Sequence, residues 1–382
     1  MTQASRLFYM PTRIVHGLGS VSALAAQVRA VGGKAFVCTD KGLSAAGITA
    51  CVTALLDEAG VPYFLFDDVE EDPGVKTVSA GVAAFVAEGC DVVVALGGGS
   101  PMCAGKGIAL VAANGGTLTD YEGFQKAAKP PYPVIAVPTT AGSGTEVSKV
   151  TILTDEARNF KMSILDERTF PTVAILDGSL MESLPAWPAL VAGMDALAHA
   201  LDALWSVGAT DFSDGLAATS AATIFEVLPT AALTSDLAAK QRMLEASSIA
   251  NIATGTALPG LAHVLSQPLG RLHISHGLGT GIMLPYAMDF NLSVAAHKLA
   301  PLARLLGEEG ADRDLAEYVL DRLWQLMHDV GFPTGLAPAQ VPQEEIPALV
   351  DQCTKVVNYR LNLRQASPAD LTRLYRRALG EE

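Results

Sequence analysis

The chain has 382 residues, of which 26 are Lys or Arg and 40 are Asp or Glu, so its formal net charge is −14. A surplus of negative charge repels a phosphate backbone, and we therefore expect no nucleic-acid partner. Hydrophobic residues make up 50% of the chain and charged residues 17%, a balance that excludes wholesale disorder and predicts large cores in about two domains.

The sequence also indicates a compartment. The amino terminus has no uninterrupted apolar core between a basic start and a small-residue cleavage site, so we expect no secretory signal. Apolar runs such as 92–96 and 134–137 are too short to span a bilayer, and we expect no membrane partner. The five cysteines are scattered without a CxxC pair, which is typical of reduced thiols in a cytoplasmic protein.

The first half of the chain alternates short apolar runs with amphipathic stretches such as 74–88. The runs that predict buried strands are residues 35–39, 63–66, 91–96, 133–137 and 173–176. Such alternation predicts βαβ units and a largely parallel sheet with helices on both faces. Residues 160–165, behind a turn signal at 154–158, predict an added hairpin strand.

After the sequence SLPAWP, at residues 183–188, the pattern changes. Ala- and Leu-rich segments follow, with apolar residues at helical spacing over 189–205, 213–228, 237–254 and 314–330. The two prolines suit a hinge or a helix entry. We therefore divide the chain into an α/β domain, residues 1–183, and an all-helical domain, residues 184–382.

A glycine-rich turn follows the strand predicted at 91–96. Its three glycines at 97–99 let the backbone approach a ligand closely, and Pro101 with Ser100 as its cap predicts the start of a helix. Free N–H groups at a helix start bind phosphate or pyrophosphate. A bare strand-to-helix turn is the alternative, because GxGxxG is absent and Lys106 completes no Walker motif.

A second loop, PTTAGSGTE at residues 138–146, follows another predicted strand and is dense in small hydroxyl residues. Two such loops at the carboxyl ends of strands are where open α/β sheets bind nucleotides. Asp40 follows the first predicted strand, where an acid can accept hydrogen bonds from a ribose 2′-hydroxyl and repel a 2′-phosphate. A helix cap or a solvated loop acid is the alternative interpretation of Asp40.

The helical half contains a set of metal-binding residue types. Asp195 and His199 lie four residues apart in the apolar segment VAGMDALAHALDALW, so they project from one face of a helix. His263 and His276 follow in GLAHVLSQPLG and HGLGTGIMLPY. One carboxylate and three imidazoles can bind a divalent metal ion. Satisfied core side chains are the alternative, and a buried Asp needs a partner in either case.

Four motifs occur in order over nearly the whole chain: GGGSPMCAGKGIAL, PTTAGSGTEVS, GMDALAHALDA and HGLGTGIMLPYAMDFN. Together they resemble the signatures of the iron-containing (group III) alcohol dehydrogenases. The resemblance implies a dehydroquinate synthase-like architecture, in which an α/β dinucleotide-binding domain precedes an all-α metal-binding domain. It also implies hydride transfer between NAD or NADP and a small primary alcohol or aldehyde, in a homodimer or higher homo-oligomer.

The resemblance assigns roles residue by residue. The implied metal ligands are Asp195, His199, His263 and His276, for Fe²⁺ by the family's name and with Zn²⁺ also able to bind. The implied cofactor-binding residues are Asp40, Gly97, Gly98, Gly99, Ser100, Thr139, Thr140, Ser143, Lys161 and Leu180. Lys161 matches a lysine near the nicotinamide ribose, Leu180 matches an apolar contact, and Asp40 matches an acid that favours NAD over NADP.

The sequence departs from the family's pattern near these residues. Cys103 replaces a usual Asp, Gly105 replaces a usual Ala, and Gln267 stands where many members place another histidine near the substrate. A glutamine amide can orient a water but cannot gain or lose a proton, whereas an imidazole titrates near neutral pH. We therefore consider His273 as a replacement proton relay and Gln267 as a water-orienting residue. The alternative is that His273 is an exposed or capping loop residue.

Three other functions are compatible with parts of this pattern. A dehydroquinate synthase-like lyase would share the architecture, NAD and a metal, but it needs a dense basic pocket, which 26 Lys and Arg do not favour. A metal-free reductase of a related branch would lack the four ligands that are present here. A nucleotide-sensing or scaffold protein of the same fold would show no turnover. The sequence does not identify the alcohol or aldehyde.

Overall fold

The computed structural model describes residues 6–158, 160–339 and 341–381, which fall into two compact units. One unit comprises residues 10–184, and the other continues from Pro185 and also includes residues 6–9. Phe8 stacks on Phe212 with ring centroids 5.3 Å apart, and Arg6 donates a hydrogen bond to the Ala209 carbonyl. The assignment of all of residues 1–183 to the α/β domain is therefore wrong for residues 6–9, which pack on helical residues.

The strands and helices of the described residues are numbered in chain order. The strands are β1 (Arg13–His16), β2 (Ala35–Cys38), β3 (Tyr63–Phe66), β4 (Val92–Gly97), β5 (Gly123–Phe124), β6 (Val134–Pro138), β7 (Val150–Asp155), β8 (Phe160–Leu165) and β9 (Val173–Leu176). The helices are α1 (Leu24–Val31), α2 (Lys41–Ala45), α3 (Ile48–Glu58), α4 (Val75–Ala87), α5 (Gly99–Asn114), α6 (Ala186–Leu204), α7 (Asp211–Leu233), α8 (Leu237–Ala257), α9 (Leu261–Ser266), α10 (His276–Leu305), α11 (Asp312–Asp329), α12 (Ile346–Cys353) and α13 (Pro368–Leu379).

The unit of residues 10–184 contains a six-stranded parallel sheet in the order β1-β9-β6-β4-β2-β3. The five strands predicted from apolar runs are all present, with ends shifted by one residue at most. The predicted hairpin strand is β8, which pairs antiparallel with β7 in a second sheet that also contains β5. Sequence analysis did not predict β1, β5 or β7. β1 is only four residues long and exposed at both ends, so it lacks the signal of a buried run.

Side chains of the central strands alternate between the two faces of the six-stranded sheet. Phe36 and Val93 belong to one buried cluster, together with apolar residues of α4 and α5. Val37 and Val94 belong to the other cluster, together with apolar residues of α1 and α3. Because successive residues of a strand point to opposite faces, both faces are covered by helices, as the alternating pattern predicted.

The order of the strands determines which loops meet. β2, β4 and β6 are neighbours and run parallel, with Ala35 opposite Val92 and Val93 opposite Val134. Their carboxyl ends therefore lie at one edge of the sheet. This edge, which we call the glycine edge, carries Asp40, the glycines at 97–99 and the loop at 139–145.

The helical unit is built around α6, α7, α8 and α10. The four segments predicted to be helical form α6, α7, α8 and α11. The ends of these helices differ from the predicted ends by a few residues. α7 is long and apolar enough to cross a membrane by length and composition alone, but 56% of its most apolar window is buried. It packs against α6 and α8, as a core helix does. The five cysteines of the chain are free thiols, as their spacing predicted.

Candidate metal and cofactor sites

Three helices of the helical unit bring the predicted metal ligands together. Asp195 and His199 lie one turn apart on α6, His263 lies on α9, and His276 is the first residue of α10. Asp195 Oδ2 is 3.8 Å from His199 Nδ1, and Asp195 Oδ1 is 3.9 Å from His263 Nε2 and 3.6 Å from His276 Nε2. Ligand atoms of Asp195, His199 and His263 all lie within 4.8 Å of one another. Asp195, His199 and His263 therefore form one cluster, and His276 adjoins it through its contact with Asp195.

The polar atoms of this cluster fit a cation. Asp195 Oδ1, His199 Nδ1 and His263 Nε2 are buried and have no hydrogen-bond partner among the described residues. A buried polar atom without a partner is costly, and its presence in a folded chain calls for an explanation. A divalent ion bound by one carboxylate and several imidazoles would satisfy all three atoms, and this donor set is one that Fe²⁺ and Zn²⁺ both accept.

The charge states of Asp195 and His199 also favour a cation. Burial raises the pKa of the Asp195 carboxyl, but the neighbouring imidazoles outweigh burial and hold its pKa below the ordinary value, so Asp195 is an anion at neutral pH. Burial lowers the pKa of His199 to about 4, so its ring is neutral and keeps a lone pair for a ligand bond. Burial also lowers the pKa of His263, but a hydrogen bond and the charge of Asp202 outweigh it and raise that pKa above the ordinary value.

Asp202 is a residue of this region that sequence analysis did not single out. It lies on α6 seven residues after Asp195 and is fully buried. Its Oδ2 is 2.8 Å from Nδ1 of His263, on the side of the ring opposite the orphaned Nε2. Its spacing from Asp195 and His199 places Asp202 on the same face of α6, and this spacing is visible in the sequence. Its contact with His263 is not, because His263 lies 61 residues further along the chain.

The glycine edge has the form of a cradle for an anion. A Cβ atom at Gly98 would lie 3.2 Å from Oγ1 of Thr140, and one at Gly99 would lie 3.3 Å from Oγ of Ser143. Glycines therefore let the two predicted nucleotide loops approach each other with their hydroxyls beside the start of α5. Free N–H groups at a helix start together with hydroxyls suit the pyrophosphate of a dinucleotide. Thr139 joins the loops, since its N–H donates to the Gly97 carbonyl at 3.0 Å.

The prediction that Ser100 caps a helix starting at Pro101 is wrong. α5 begins at Gly99, Gly98 is its extended N-cap residue, and Pro101 is its third residue. Gly97 has a φ of +144° and a Cβ there would lie 2.6 Å from the Pro101 ring, so the chain turns at Gly97 and the helix starts two residues earlier than predicted. Proline is tolerated at Pro101 because the first N–H groups of a helix lack helical partners. The Ser100 hydroxyl instead accepts a hydrogen bond from the N–H of Asp72.

The remaining predicted cofactor residues belong to the same α/β unit. Asp40 is the N-cap of α2, and its Oδ1 accepts a hydrogen bond from the Leu43 N–H at 2.9 Å. This capping role is the alternative named from the sequence, and it leaves Oδ2 available for a ribose. Lys161 lies on β8 and pairs with Asp72, whereas Leu180 is buried in the apolar cluster that also contains Val37.

The two residues predicted to handle protons lie in the segment after α9. Gln267 begins a 3₁₀ helix, Gln267–Leu272, and its side chain is exposed. His273 ends that helix in the left-handed conformation, with a φ of +59°, and it is also exposed. This is the capping position named as the alternative for His273, so its catalytic role stays a prediction.

Comparison with known proteins fits this geometry. A family model for iron-containing alcohol dehydrogenase matches residues 11–178, and a model for the C-terminal region of the Fe-containing alcohol dehydrogenase family matches residues 189–379. The chain is also 35% identical over 378 residues to the NAD-dependent methanol dehydrogenase of Bacillus methanolicus, covering 97% of this chain and 99% of that protein. The chain belongs to the iron-containing alcohol dehydrogenase family.

Further similarities agree with this membership. The chain is 32% identical over 371 residues to lactaldehyde reductase of Escherichia coli strain K12, covering 95% of this chain and 96% of that protein. The crystal structure of a 1,3-propanediol oxidoreductase matches with a TM-score of 0.95 at 32% identity, covering 98% of this chain and 100% of that chain. These findings confirm the predicted family, the fold class and the class of NAD-dependent alcohol or aldehyde oxidoreductase.

Proposed function

We propose that this member of the iron-containing alcohol dehydrogenase family transfers hydride between NAD and a small primary alcohol or its aldehyde. The observation that carries the proposal is the convergence of buried, unpartnered donor atoms on Asp195, His199 and His263. His276, with Nε2 3.6 Å from Asp195, completes the proposed ligand set. The names of relatives, among them a methanol dehydrogenase and a lactaldehyde reductase, support a short-chain alcohol or aldehyde as the substrate.

The helical unit supplies the electrophilic side of this chemistry. Asp195, His199, His263 and His276 would hold a divalent ion, which would supply Lewis-acid polarisation of the oxygen of the alcohol or aldehyde. Asp195 contributes the negative charge that makes a buried cation site favourable, and His199 contributes a neutral lone pair. The burial of both side chains limits water around them and strengthens their electrostatic interactions.

The α/β unit supplies the cofactor site. The backbone N–H groups of Gly99 and Ser100, at the start of α5, would hold the pyrophosphate of NAD, and the hydroxyls of Thr140 and Ser143 lie beside them. Asp40 would hold the adenosine ribose of NAD, and its Oδ1 accepts the hydrogen bond from the Leu43 N–H of α2. A nearby carboxylate disfavours the 2′-phosphate of NADP.

The test is turnover of the metal-reconstituted enzyme. Short aldehydes with NADH, and short alcohols with NAD, should give steady-state turnover that depends on the added metal. A lyase related to dehydroquinate synthase predicts no net NADH oxidation, and a nucleotide-binding protein without catalysis predicts none with any substrate. Absence of turnover across aldehydes and alcohols with both Fe²⁺ and Zn²⁺ would contradict the proposal.

A variant tests the metal site itself. His263→Ala should lower metal occupancy several-fold and abolish turnover while the far-ultraviolet circular dichroism spectrum stays unchanged. His328→Ala is the matched control, because His328 lies on α11 of the same unit with 84% of its side chain exposed. Full metal occupancy in the His263 variant would contradict the ligand assignment.

We also propose that the enzyme is a cytoplasmic homodimer or higher homo-oligomer, as the resemblance to the family implies. Free cysteines throughout the chain support a reducing compartment. Sedimentation velocity of the purified chain tests the oligomeric state, and a monomer at assay concentrations would contradict it.

A further inference from the structure

The carboxylate of Asp202 binds four donors at once. Oδ1 accepts hydrogen bonds from Nε1–H of Trp205 at 2.6 Å and from the N–H of Ala262 at 3.2 Å. Oδ2 accepts from the N–H of His263 at 3.1 Å and lies 2.8 Å from Nδ1 of the same residue. Asp202 is fully buried, so this carboxylate is desolvated and depends on these donors for its stability as an anion.

Two of the four donors belong to the start of a helix. Ala262 and His263 are the second and third residues of α9, and the N–H groups at such positions have no partner within their own helix. The preceding residue, Gly260, provides no side-chain cap. Asp202 therefore caps α9 from α6, and it fixes the backbone of His263 as well as its ring.

The hydrogen bond to the ring determines where the imidazole proton lies. An ionised carboxylate only accepts hydrogen bonds, so Nδ1 of His263 must carry a proton to bind Oδ2 of Asp202. The lone pair of the neutral ring then lies on Nε2. That atom is the buried, unpartnered nitrogen 3.9 Å from Asp195 Oδ1.

The surroundings of Asp202 hold it in this place. A Cβ atom at Gly260 would lie 2.9 Å from Oδ1 of Asp202 and 2.9 Å from the Trp205 ring, so only glycine lets α9 approach α6 this closely. Trp205 is fully buried, and its indole N–H donates to Oδ1, the oxygen that does not contact the His263 ring. Oδ2 is the oxygen that contacts both the N–H and the ring of His263.

We infer that Asp202 is a positioning residue that selects the Nδ1–H tautomer of His263 and so presents Nε2 to the metal. The inference rests on the metal site of the proposed function, and it adds a residue that touches none of the reacting atoms. Partners of this kind behind a ligating histidine orient the ring, and their loss commonly weakens metal binding by about 10- to 100-fold.

The first experiment measures the affinity for Zn²⁺ by competition with a chelator of known affinity. Asp202→Asn keeps the size of the side chain but replaces one acceptor oxygen with an amide that donates. We expect its Zn²⁺ affinity to fall by about 10- to 100-fold. Trp205→Phe is the matched control, because it removes one hydrogen-bond donor to Asp202 and leaves the carboxylate in place. It should lower the thermal midpoint, and its Zn²⁺ affinity should stay within about threefold of the wild-type value.

Two results would overturn the inference. One is wild-type Zn²⁺ affinity in the Asp202→Asn variant. The other is an equal loss of affinity in Trp205→Phe, which would show that packing of this region, not the tautomer, controls binding. Absence of Zn²⁺ binding in the wild-type enzyme would instead contradict the metal site of the proposed function.

The second experiment needs no variant at Asp202, so it tests the inference even if Asp202→Asn does not fold. Nitrogen-15 NMR of histidine-labelled, metal-free wild-type enzyme, at a pH where the ring is neutral, reports which nitrogen of His263 carries the proton. His263→Gln supplies the assignment. The inference expects the Nδ1–H form, and a predominant Nε2–H form would overturn it.

Discussion

Nζ of Lys161 lies 2.7 Å from Oδ1 of Asp72, and this ion pair joins β8 to the loop between β3 and α4. The backbone of Asp72 takes part in the same network. Its N–H donates to Oγ of Ser100, its carbonyl accepts from Oγ1 of Thr154, and its φ is +56°. Few residue types other than glycine adopt this conformation, and Asp and Asn are among them. Asp72 thus links Lys161 to the glycine edge.

The first prediction concerns this link. If Lys161 binds the nicotinamide ribose, Lys161→Met should raise the KM for NAD by about tenfold, because a hydrogen bond from a charged group contributes about 1.5–3 kcal/mol. Asp72→Asn keeps the backbone conformation and should raise that KM less. Both side chains of the pair are about half exposed, so the free energy of unfolding should change by about 1 kcal/mol or less in each variant. Steady-state kinetics and urea unfolding measure the two effects, and an unchanged KM in Lys161→Met would contradict the role of Lys161.

The second prediction concerns the choice between NAD and NADP. Asp40→Gly should shift the ratio of kcat/KM toward NADP by more than about tenfold, or 1.4 kcal/mol, because the repulsion of a 2′-phosphate is removed. Asp40 also caps α2, so this variant loses the bond to the Leu43 N–H. Asp40→Ser is the matched control, since serine is a good N-cap without a charge. Both variants should change cofactor preference equally, and a wild-type enzyme that prefers NADP would show that Asp40 does not contact the ribose.

The ligands Asp195 and His199 could be proposed from the sequence because both the spacing and the apolar surroundings are local. The role of Asp202 could not, since its partner on α9 is brought to it only by packing. Gly260 illustrates the same limit: the reason for a glycine there is the close approach of Asp202 and Trp205 from another helix.

The parallel sheet was predictable for a related reason. Strands buried on both faces are continuous apolar runs, which identified β2, β4 and β6, whereas β1 at the edge of the sheet has no such run. The start of α5 differs from the predicted one because the capping preference of Ser100 is a local signal, whereas the helix begins directly after the turn at Gly97. A side chain at that position would clash with the Pro101 ring, so the turn requires glycine.

The third prediction concerns Lys106, which is fully buried on α5. Its Nζ donates to the carbonyls of Ser148 at 2.6 Å and Val150 at 2.8 Å, and burial lowers its pKa to about 8 from an ordinary value of 10.5. Between about pH 8 and pH 10.5 the unfolded chain keeps a proton on Lys106 that the folded chain has released. The contribution of Lys106 to the free energy of unfolding therefore rises with pH. This contribution should grow by about 1 kcal/mol from pH 7 to pH 9.

Urea unfolding at pH 7 and at pH 9 measures this contribution as the difference between the two free energies of unfolding. Lys106→Met should lack the increase that the wild-type enzyme shows, whereas Lys129→Met, at an exposed position, should retain it. The same increase in all three proteins would show that other groups cause it and that the pKa of Lys106 is not lowered.

The fourth prediction concerns the exit of the hydroxyl proton during alcohol oxidation. Gln267 cannot carry a proton, and His273 is the titratable side chain proposed to replace the histidine of other family members. His273→Asn is a suitable test, because asparagine tolerates the left-handed conformation that His273 adopts at the end of its 3₁₀ helix. The variant should retain metal and NAD binding, lose about 10²-fold in kcat and change the shape of the pH–rate profile. An unchanged profile would leave water ordered by Gln267 as the path of the proton, in which case Gln267→Ala should lower kcat while the ionisations remain.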